Sequence, residues 1–296
     1  MSRTEPSWDF YRTFLMVLSE GSLSAAAREL GLTQPTVGRH IDALEGAVGF
    51  SLFTRSPHGL LPTEAALELR PYAETLAATA AGLLRAASGK QGAIGGTVRI
   101  SASEVIGVEV LPPILAELNR QYPELTVELS GSDAVENLLR QEADIAVRMV
   151  APAQEALVAR HIGAVPLGFH ARRSYLDRRG VPETIEELVR HSLIGYDRET
   201  AAIRAILSRS PNLPAAHFAL KADSNLVQLA AIRAGFGIGI CQTPLAKRDP
   251  QLVRVLPDVF ETKLETWLVT HENLRSTPRC RVVFEALARG LQAYIR

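Results

Sequence analysis

Four polar residues between Thr33 and Ile41 recur at helical spacing and carry groups that can bond to nucleic-acid bases: Gln34, Thr36, Arg39 and His40. A glutamine can pair with adenine, an arginine can bind guanine or phosphate, and a threonine can contact the methyl group of thymine. In a helix-turn-helix such a polar face enters the major groove, with its N-terminal residues nearest the base edges. The spacing therefore predicts a DNA-reading surface.

Short helices between Trp8 and Ala47 are predicted to position this surface. The first helix ends at Gly21, and its apolar face consists of Phe10, Phe14, Val17 and Leu18. The second helix runs from Ser24 to Leu30, and its three consecutive alanines let it lie close to the third. Gly31 makes the tight turn between them, so the order predicts a helix-turn-helix.

The third helix has a recognisable start and one unusual residue. Thr33 is a good N-cap, and Pro35 is tolerated in the first turn. Its inner stripe consists of Val37, Ile41 and Leu44. Gly38 lies in its middle, where glycine costs about 1 kcal/mol relative to alanine. Two interpretations stay open: close approach of the backbone to DNA at Gly38, or an exposed glycine without consequence.

A small hairpin and one long helix are predicted next. Residues 52–55 and 60–61 flank a turn at 56–59, which indicates a two-stranded wing. From Thr63 to about Ala87 the pattern is helical, with a heptad seam at Leu69, Ala73, Leu76, Ala80 and Leu83. Pro71 should kink this helix or force a restart. The seam predicts pairing with a partner helix; the alternative is packing on the chain's own core.

A glycine-rich segment, 88–96, marks the predicted boundary between domains. Beyond it, a β-α-β-α-β order predicts a parallel sheet with right-handed crossovers. Its first three strands are expected at 98–102, 127–129 and 145–147, and later strands at 167–171, 193–196, 218–220, 238–240 and 266–270. Helices are expected at 110–122, 135–140, 185–190, 202–207 and 226–234, and from 278.

Polar side chains follow the first three predicted strands at their carboxyl ends. Ser101 and Ser103 lie at the end of the first strand, Ser130 and Ser132 follow the second, and Arg148 follows the third. Ligands of open α/β folds bind beyond these ends, and hydroxyls and free amides at a helix start suit a carboxylate or other anion. The alternative is that the serines merely cap helices.

No catalytic or metal-binding constellation emerges from the spacing of residues. The seven histidines are scattered, and no serine–histidine–acid or paired-carboxylate pattern is present. Cys241 and Cys280 are too few for a disulfide framework or a tetrahedral zinc site. The glycine-rich run 234–240 ends a helix and enters a strand, which is the reverse of a dinucleotide loop. We therefore expect no enzyme, no metal and no cofactor.

Composition limits how DNA could be held. The chain has 296 residues, 47% apolar and 22% charged, which is typical of about two globular domains. Its 32 lysines and arginines balance 32 acidic residues, and residues 1–90 carry eight basic against nine acidic side chains. DNA binding would thus depend on a few placed residues rather than on bulk charge. No secretory signal or membrane span is visible, so we expect a cytoplasmic protein.

These motifs resemble those of the LysR-type bacterial transcriptional regulators. The resemblance runs through Phe14, Gln34-Pro35 and the stretches 21–30, 41–45, 49–55 and 63–65, and it covers the whole chain in organisation. The family normally has serine where this chain has Gly38, and glycine where it has Ala66. The first difference bears on a contact of the recognition helix, and the second on the start of the long helix.

The resemblance implies an α-helical winged helix-turn-helix, a long linker helix, and a two-lobed α/β effector domain like that of type 2 periplasmic binding proteins. The implied boundaries are 1–62 for the DNA-binding domain, 63–90 for the linker and dimerisation helix, and 91–296 for the effector domain. Lobe I would comprise about 96–162 and 265–296, and lobe II about 163–264.

The resemblance also implies contact residues and partners. The expected DNA contacts are Ser24, Thr33, Gln34, Pro35, Thr36, Arg39 and, in the wing, Arg55. The expected effector contacts are Ser101, Ser103, Ser130, Arg148, Tyr196 and Ser224. The partners would be double-stranded DNA with a dyad, a second copy or a dimer of dimers, and a small-molecule effector for which an anion is a candidate. RNA polymerase is a further candidate partner, and no membrane is involved.

We therefore expect a ligand-responsive DNA-binding transcriptional regulator that acts as a homo-oligomer. The alternative is a solute-binding protein of a transport system, which explains the C-terminal half but not the first ninety residues and should carry an export signal. An enzyme on an α/β scaffold is a third interpretation, and it lacks a catalytic constellation.

Overall fold

The computed structural model describes residues 5–56, 59–87, 94–131, 143–151, 157–198, 218–271, 274 and 277–296. Within these residues the chain forms two compact units, one up to Ala87 and one that contains the described residues from Ile94 on. The predicted helices at 135–140 and 202–207, and Ser132, lie outside the described residues.

The first unit begins with the three helices that the sequence predicts. They are α1 (Trp8–Glu20), α2 (Leu23–Leu30) and α3 (Gln34–Val48). Serine or threonine side chains cap their N-termini, and each ends at a glycine in the left-handed conformation: Gly21, Gly31 and Gly49. Local capping chemistry therefore fixes the short turns between these helices.

The wing consists of β1 (Phe53–Ser56) and β2 (Gly59–Pro62), which pair in antiparallel fashion. The carboxylate of Glu45 accepts hydrogen bonds from the amides of Leu52 at 2.6 Å and Phe53 at 3.3 Å. At the other strand, Gly59 has a φ of +120°, and an added Cβ would lie 2.6 Å from the carbonyl oxygen of Gly21. Both contacts attach the wing to the helices.

One long helix, α4 (Glu64–Ala87), follows the wing and runs through Pro71 without a break. The restart that the sequence offered as one outcome at Pro71 is therefore wrong. A proline has a backbone angle that suits a helix, so it costs one hydrogen bond and some crowding. Ala66 and Ala73, on either side of Pro71, are both buried in the core of the unit, so α4 packs on this core before and after the proline.

The core of the first unit lies between the helices and the wing. Its fully buried side chains include Phe14, Val17, Val37, Ile41, Leu44 and Leu52. The inner stripe predicted for the third helix is thus buried as expected. These contacts leave the opposite side of α3 exposed.

The second unit is built on a seven-stranded sheet. The strands that the sequence predicts to be parallel are β3 (Gly96–Ala102), β4 (Leu125–Gly131) and β5 (Ile145–Arg148), and β3 pairs with both neighbours in parallel. The other strands of this sheet are antiparallel to their partners: β6 (Leu157–Arg172), β9 (Gly239–Gln242), β10 (Leu252–Val255) and β11 (Thr262–His271). A separate parallel pair consists of β7 (Leu193–Gly195) and β8 (Phe218–Lys221).

Two long strands, β6 and β11, pair along almost their whole length, and their ladder contains one irregularity. The register shifts between Thr266 and Trp267, opposite Gly163, which has a φ of +144°. Both features lie within two residues of the lobe boundaries expected from the sequence at 162/163 and 264/265. The strand predicted at 167–171 extends back to Leu157, so the prediction missed its first half.

The helices of the second unit flank the sheet. A helical segment, 104–121, follows β3; it has a π-turn at Ile106–Val110 and continues as α5 (Leu111–Gln121). The remaining α-helices are α6 (Arg173–Arg179), α7 (Asn225–Ala234), α8 (Thr243–Ala246) and α9 (Pro278–Ile295), and a 3-10 helix spans Glu186–Arg190. Among the described residues, no helix combines the length and apolar character needed to cross a membrane.

Candidate nucleic-acid interface and effector site

The start of α3 carries two hydrogen-bonded groups of polar side chains. The hydroxyl of Ser24 on α2 donates to Oε1 of Gln34 at 3.0 Å. The hydroxyls of Thr33 and Thr36 are hydrogen-bonded at 2.8 Å, and a guanidinium nitrogen of Arg39 donates to Oγ1 of Thr36 at 3.4 Å. The structure therefore brings five of the predicted DNA-contact residues together on one surface.

Two further predicted DNA-contact residues are exposed in the first unit. Pro35 lies in the first turn of α3, and Arg55 lies on β1 of the wing. The N-terminus of α3 has exposed residues at Thr33, Gln34 and Pro35. Backbone amides at such an end favour negative charge, so this end suits a phosphate or an electronegative base edge.

The prediction that His40 belongs to the same outer face is wrong. Its Nδ1 lies 2.9 Å from the hydroxyl of Thr13 on α1, and its ring centroid lies 5.1 Å from that of Phe10. His40 follows Val37 by three positions, which brings it round to the side of α3 that packs on α1. Its Nδ1 serves the contact between α1 and α3 rather than the DNA-reading surface.

The surroundings of Gly38 give no reason for a glycine within this unit. An added Cβ would meet only Cδ1 of Leu23, at an ordinary contact distance of 4.0 Å. The packing of α2 on α3 therefore does not require the missing side chain. The two interpretations from the sequence, close approach to DNA or an inconsequential glycine, both stay open.

The predicted heptad seam of α4 divides into a buried and an exposed part. Leu69 packs on the core of the first unit and Ala73 is buried in it, as the alternative interpretation of the seam requires. Farther along, Ala80 is half-buried, whereas Leu76 and Leu83 are 46% and 67% exposed. Tyr72 and Leu84 add to this exposed apolar surface, at 72% and 69% exposed.

In the second unit, Ser101 and Arg148 meet at the carboxyl ends of β3 and β5. A guanidinium nitrogen of Arg148 donates to the Ser101 hydroxyl at 2.9 Å, and another donates to the carbonyl of Val147 at 3.3 Å. Both residues are buried, at 6% and 5% exposed. Ser130 lies opposite Ser101 in the parallel register of β3 and β4. The predicted convergence of these three residues is therefore present in the sheet.

Ser103 and Ser224 lie at the starts of two helices. Ser103 precedes the 104–121 helix, and its carbonyl accepts a hydrogen bond from the amide of Gly107. Ser224 precedes α7, and its hydroxyl donates to Oε2 of Glu104 at 3.0 Å. This bond joins the helix start after β3 to the helix start of α7. Sequence reasoning did not select Glu104, although it directly follows the serine-rich end of β3.

Tyr196 lies after β7, and its hydroxyl donates to Oδ1 of Asn225 at 2.8 Å. Asn225 is the first residue of α7 and was also missed from the sequence. The sequence signal that could have found it is its place beside Ser224 at a predicted helix start. Tyr196 and Ser224 thus both belong to the polar surroundings of the α7 N-terminus.

The remaining candidate groups have structural roles. Cys241 is buried, and this burial raises the pKa of its thiol to about 12, so little thiolate forms at neutral pH. In the glycine-rich run, Gly235 ends α7, and a Cβ on Gly237 would lie 1.9 Å from the carbonyl oxygen of Ser192. The left-handed conformation accounts for Gly235, with a φ of +75°, and close packing accounts for Gly237. No group of potential metal ligands occurs among the described residues.

Family models match both units of the chain. Residues 8–67 match the bacterial regulatory helix-turn-helix protein, lysR family, and residues 91–292 match the LysR substrate binding domain. The first match removes the transport receptor as an alternative, since that interpretation leaves the N-terminal residues unexplained. Both models describe transcriptional regulators rather than enzymes.

Curated relatives and solved structures agree with these models. An HTH-type transcriptional regulator of Xanthomonas campestris pv. campestris is 31% identical over 178 residues, which are 60% of this chain and 52%, about half, of that protein. The probable HTH-type transcriptional regulator LtrA of Klebsiella pneumoniae is 24% identical over 290 residues, which are 95% of this chain and 93% of LtrA.

Two full-length solved structures share the fold. The structure of CbnR complexed with its target DNA has a TM-score of 0.66 at 21% identity and covers 96% of this chain and 99% of CbnR. AphB, a virulence activator of Vibrio cholerae, has a TM-score of 0.61 at 22% identity and covers 95% of this chain and 98% of AphB. The expected fold class, a winged helix-turn-helix and linker helix before an α/β effector domain of the periplasmic-binding-protein type, is confirmed. Because one family model alone covers more than half of the chain, the protein belongs to the LysR family of DNA-binding transcriptional regulators.

Proposed function

We propose that this regulator responds to a small molecule with a carboxylate or similar anionic group, bound at the sheet edge where Ser101 and Arg148 meet. The observation that carries the proposal is the buried guanidinium of Arg148, 2.9 Å from the Ser101 hydroxyl. An arginine stays charged at all physiological pH values and binds carboxylates in a fixed geometry. The hydroxyls of Ser101 and Ser130 would add donors beside it.

The opposite side of the proposed site would come from the N-terminus of α7. Ser224 and Tyr196 lie there, and the Ser224 hydroxyl is hydrogen-bonded to Glu104, which follows β3. With Ser103 at the start of the 104–121 helix, these residues place polar groups on both of the expected lobes. A ligand that touches both lobes can favour one arrangement of them, and only such a difference in affinity shifts the population.

For DNA, we propose contacts from the exposed surface at the start of α3 and from the wing. The supporting observation is the exposed surface that carries two hydrogen-bonded groups, with Pro35 beside them and Arg55 on β1. These groups are Ser24–Gln34 and Thr33–Thr36–Arg39. Helix-turn-helix proteins place this end of the helix in the major groove. Two copies would read an interrupted dyad, one half-site each.

The second copy would pair through the exposed part of α4. Leu76 and Leu83 at heptad spacing, with Tyr72 and Leu84 next to them, form an apolar surface that a partner helix can cover. The expected domain boundaries at 62/63 and 90/91 fit a separate dimerisation helix, because α4 begins at Glu64 and ends at Ala87. A homodimer or dimer of dimers would act in the cytoplasm, where DNA is transcribed, with RNA polymerase as a candidate contact.

The effector proposal can be tested by thermal unfolding of the full chain with a panel of small aliphatic and aromatic carboxylates and their matching amides. A ligand at 100 times its dissociation constant stabilises the folded protein by about 2.7 kcal/mol. We expect at least one carboxylate to stabilise the parent while its amide does not, and Ser101→Ala and Arg148→Gln to lose that stabilisation.

Arg160→Gln is the matched control, because Arg160 belongs to the same unit but forms an exposed ion pair with Glu285. This variant should respond like the parent. If Arg148→Gln fails to fold, the response of Ser101→Ala alone tests the proposed site, since this variant removes only one hydroxyl and should keep the fold. Equal stabilisation by acids and amides, or an unchanged response in Ser101→Ala, would contradict the proposed site.

A further inference from the structure

The amide of Gln34 is already held in place in the DNA-reading surface. Ser24, the second residue of α2, donates its hydroxyl proton to Oε1 of Gln34, the first residue of α3, at 3.0 Å. Both side chains are exposed, so this bond is not a by-product of burial. Gly31, in the left-handed conformation, makes the turn that brings the two helix starts together.

The bond leaves the part of the amide that reads a base unoccupied. An amide oxygen has two lone pairs, and its nitrogen carries two hydrogens. A glutamine binds adenine by donating one N–H to N7 and accepting one N–H from N6. The Ser24 hydroxyl uses one lone pair of Oε1, so the other lone pair and both N–H groups can form this two-bond contact.

A second side chain of the surface is fixed in a similar way. The guanidinium of Arg39 donates to Oγ1 of Thr36, and that hydroxyl is bonded to the hydroxyl of Thr33, the N-cap of α3. Gln34 is therefore held from α2, and Arg39 is held from its own helix. Side chains ordered in advance lose less conformational freedom when DNA binds.

We propose that Ser24 is a positioning residue for sequence reading, which fixes Gln34 so that each half-site must carry an adenine facing the start of α3. The proposal rests on the DNA contacts proposed above. It adds the base that Gln34 recognises, adenine, and the residue that orients Gln34. Without Ser24, Gln34 could still reach the adenine but would have to be ordered during binding, so part of the preference would be lost.

The test begins with selection of duplexes from a randomised DNA library by the full chain. The selected site and three versions, with the candidate adenine replaced by each other base, are then titrated with parent and variants. We expect the parent to prefer adenine by about 5- to 150-fold, the range typical of a two-bond base contact. Gln34→Ala should lose the preference at this position, and Gln34→Glu should shift it toward cytosine.

The positioning role makes a narrower prediction. Ser24→Ala should reduce the adenine preference by about 2- to 13-fold, the usual cost of ordering one flexible side chain. Its preferences at other positions and its unfolding temperature should match those of the parent. Ser24→Thr, which keeps the hydroxyl, should restore the preference. Ser19→Ala, at an exposed serine on α1, is the matched control and should change nothing.

The possible negative results separate the positioning role of Ser24 from the proposed DNA contacts. If Gln34→Ala alters the preference but Ser24→Ala does not, the positioning role is wrong and the DNA contacts stand. A uniform loss at every position in Ser24→Ala would indicate a structural role and also overturn the proposal. If Gln34→Ala leaves every preference intact, or the parent enriches no sequence, the proposed contacts fail together with the inference.

Discussion

Arg233 near the end of α7 binds the carboxylate of Glu109 in the 104–121 helix through two hydrogen bonds of 2.6 and 2.9 Å. The two residues are 124 positions apart, and by the expected boundaries they belong to different lobes. Arg248 adds a bond of 2.8 Å to the carbonyl of Glu109, and its guanidinium lies 4.9 Å from the ring centroid of Tyr294. These contacts join the two expected lobes.

We predict that Glu109→Gln lowers the free energy of unfolding by about 1 kcal/mol at neutral pH, because the pair is only partly buried. Hydrogen bonding to Arg233 holds the pKa of Glu109 below its ordinary value of 4.5. The stabilisation from the pair is therefore present above pH 4.5 and lost as the pH falls through the lower folded-state pKa. Urea unfolding of parent and variant across this range measures it.

The control is Glu128→Gln, which alters an exposed carboxylate on β4 of the same unit. It should follow the parent at every pH. A difference between parent and Glu109→Gln that persists unchanged at the acid end would show that the ion pair is not its source.

Gly38→Ala should stabilise the DNA-binding unit by about 1 kcal/mol, since alanine is the better helix former and the new methyl group meets only Leu23 at 4.0 Å. Chemical denaturation of the full chain checks the gain, and DNA titration separates the two interpretations of the glycine. Unchanged affinity would favour a glycine without consequence, and weaker binding would favour close approach to DNA. A loss of stability would contradict the packing described for α2 and α3.

Leu76→Glu combined with Leu83→Glu should weaken self-association by more than about 100-fold, because each buried leucine is worth about 1.5–3 kcal/mol. Sedimentation velocity over a concentration series gives the dissociation constant. Leu67→Glu is the matched control, since Leu67 is 51% exposed on the opposite side of α4. If the double variant associates as tightly as the parent, the exposed part of α4 is not the interface.

Glu45→Ala should destabilise the winged unit by about 1–3 kcal/mol, because the amides of Leu52 and Phe53 lose their acceptor. Asp42→Ala, at an exposed acid on the same helix, provides the comparison. Thermal unfolding of the full chain is the measurement. Equal midpoints for the two variants would mean that Glu45 does not hold the wing.

Residues with local signals could be predicted from the sequence. The end of α2 at Gly31 and the start of α3 after Thr33 follow from these two residues, because capping acts on neighbouring amides. The predicted start of α2, at Ser24, is one residue too late, because Ser22 was not identified as its N-cap. The meeting of Ser101 with Arg148 also follows, since the carboxyl ends of parallel strands share one sheet edge.

Features that depend on distant partners could not be predicted. The first half of β6 contains Gly163 and Pro166, which weaken a strand pattern, and it exists because β11 pairs with it about a hundred residues later. The Glu109–Arg233 pair is equally non-local. His40 lay on the polar side by helical spacing alone, and only the position of Thr13 on α1 shows that it faces inward.

The reading of DNA by the start of α3 is tested by titrating the selected duplex with Arg39→Ala. We expect its affinity to fall by about 5- to 150-fold, the cost of losing one base or paired phosphate contact. Arg70→Ala, which removes an equal charge from an exposed ion pair on α4, should bind within about twofold of the parent. Equal affinity of Arg39→Ala and the parent for that duplex would show that the start of α3 does not read DNA.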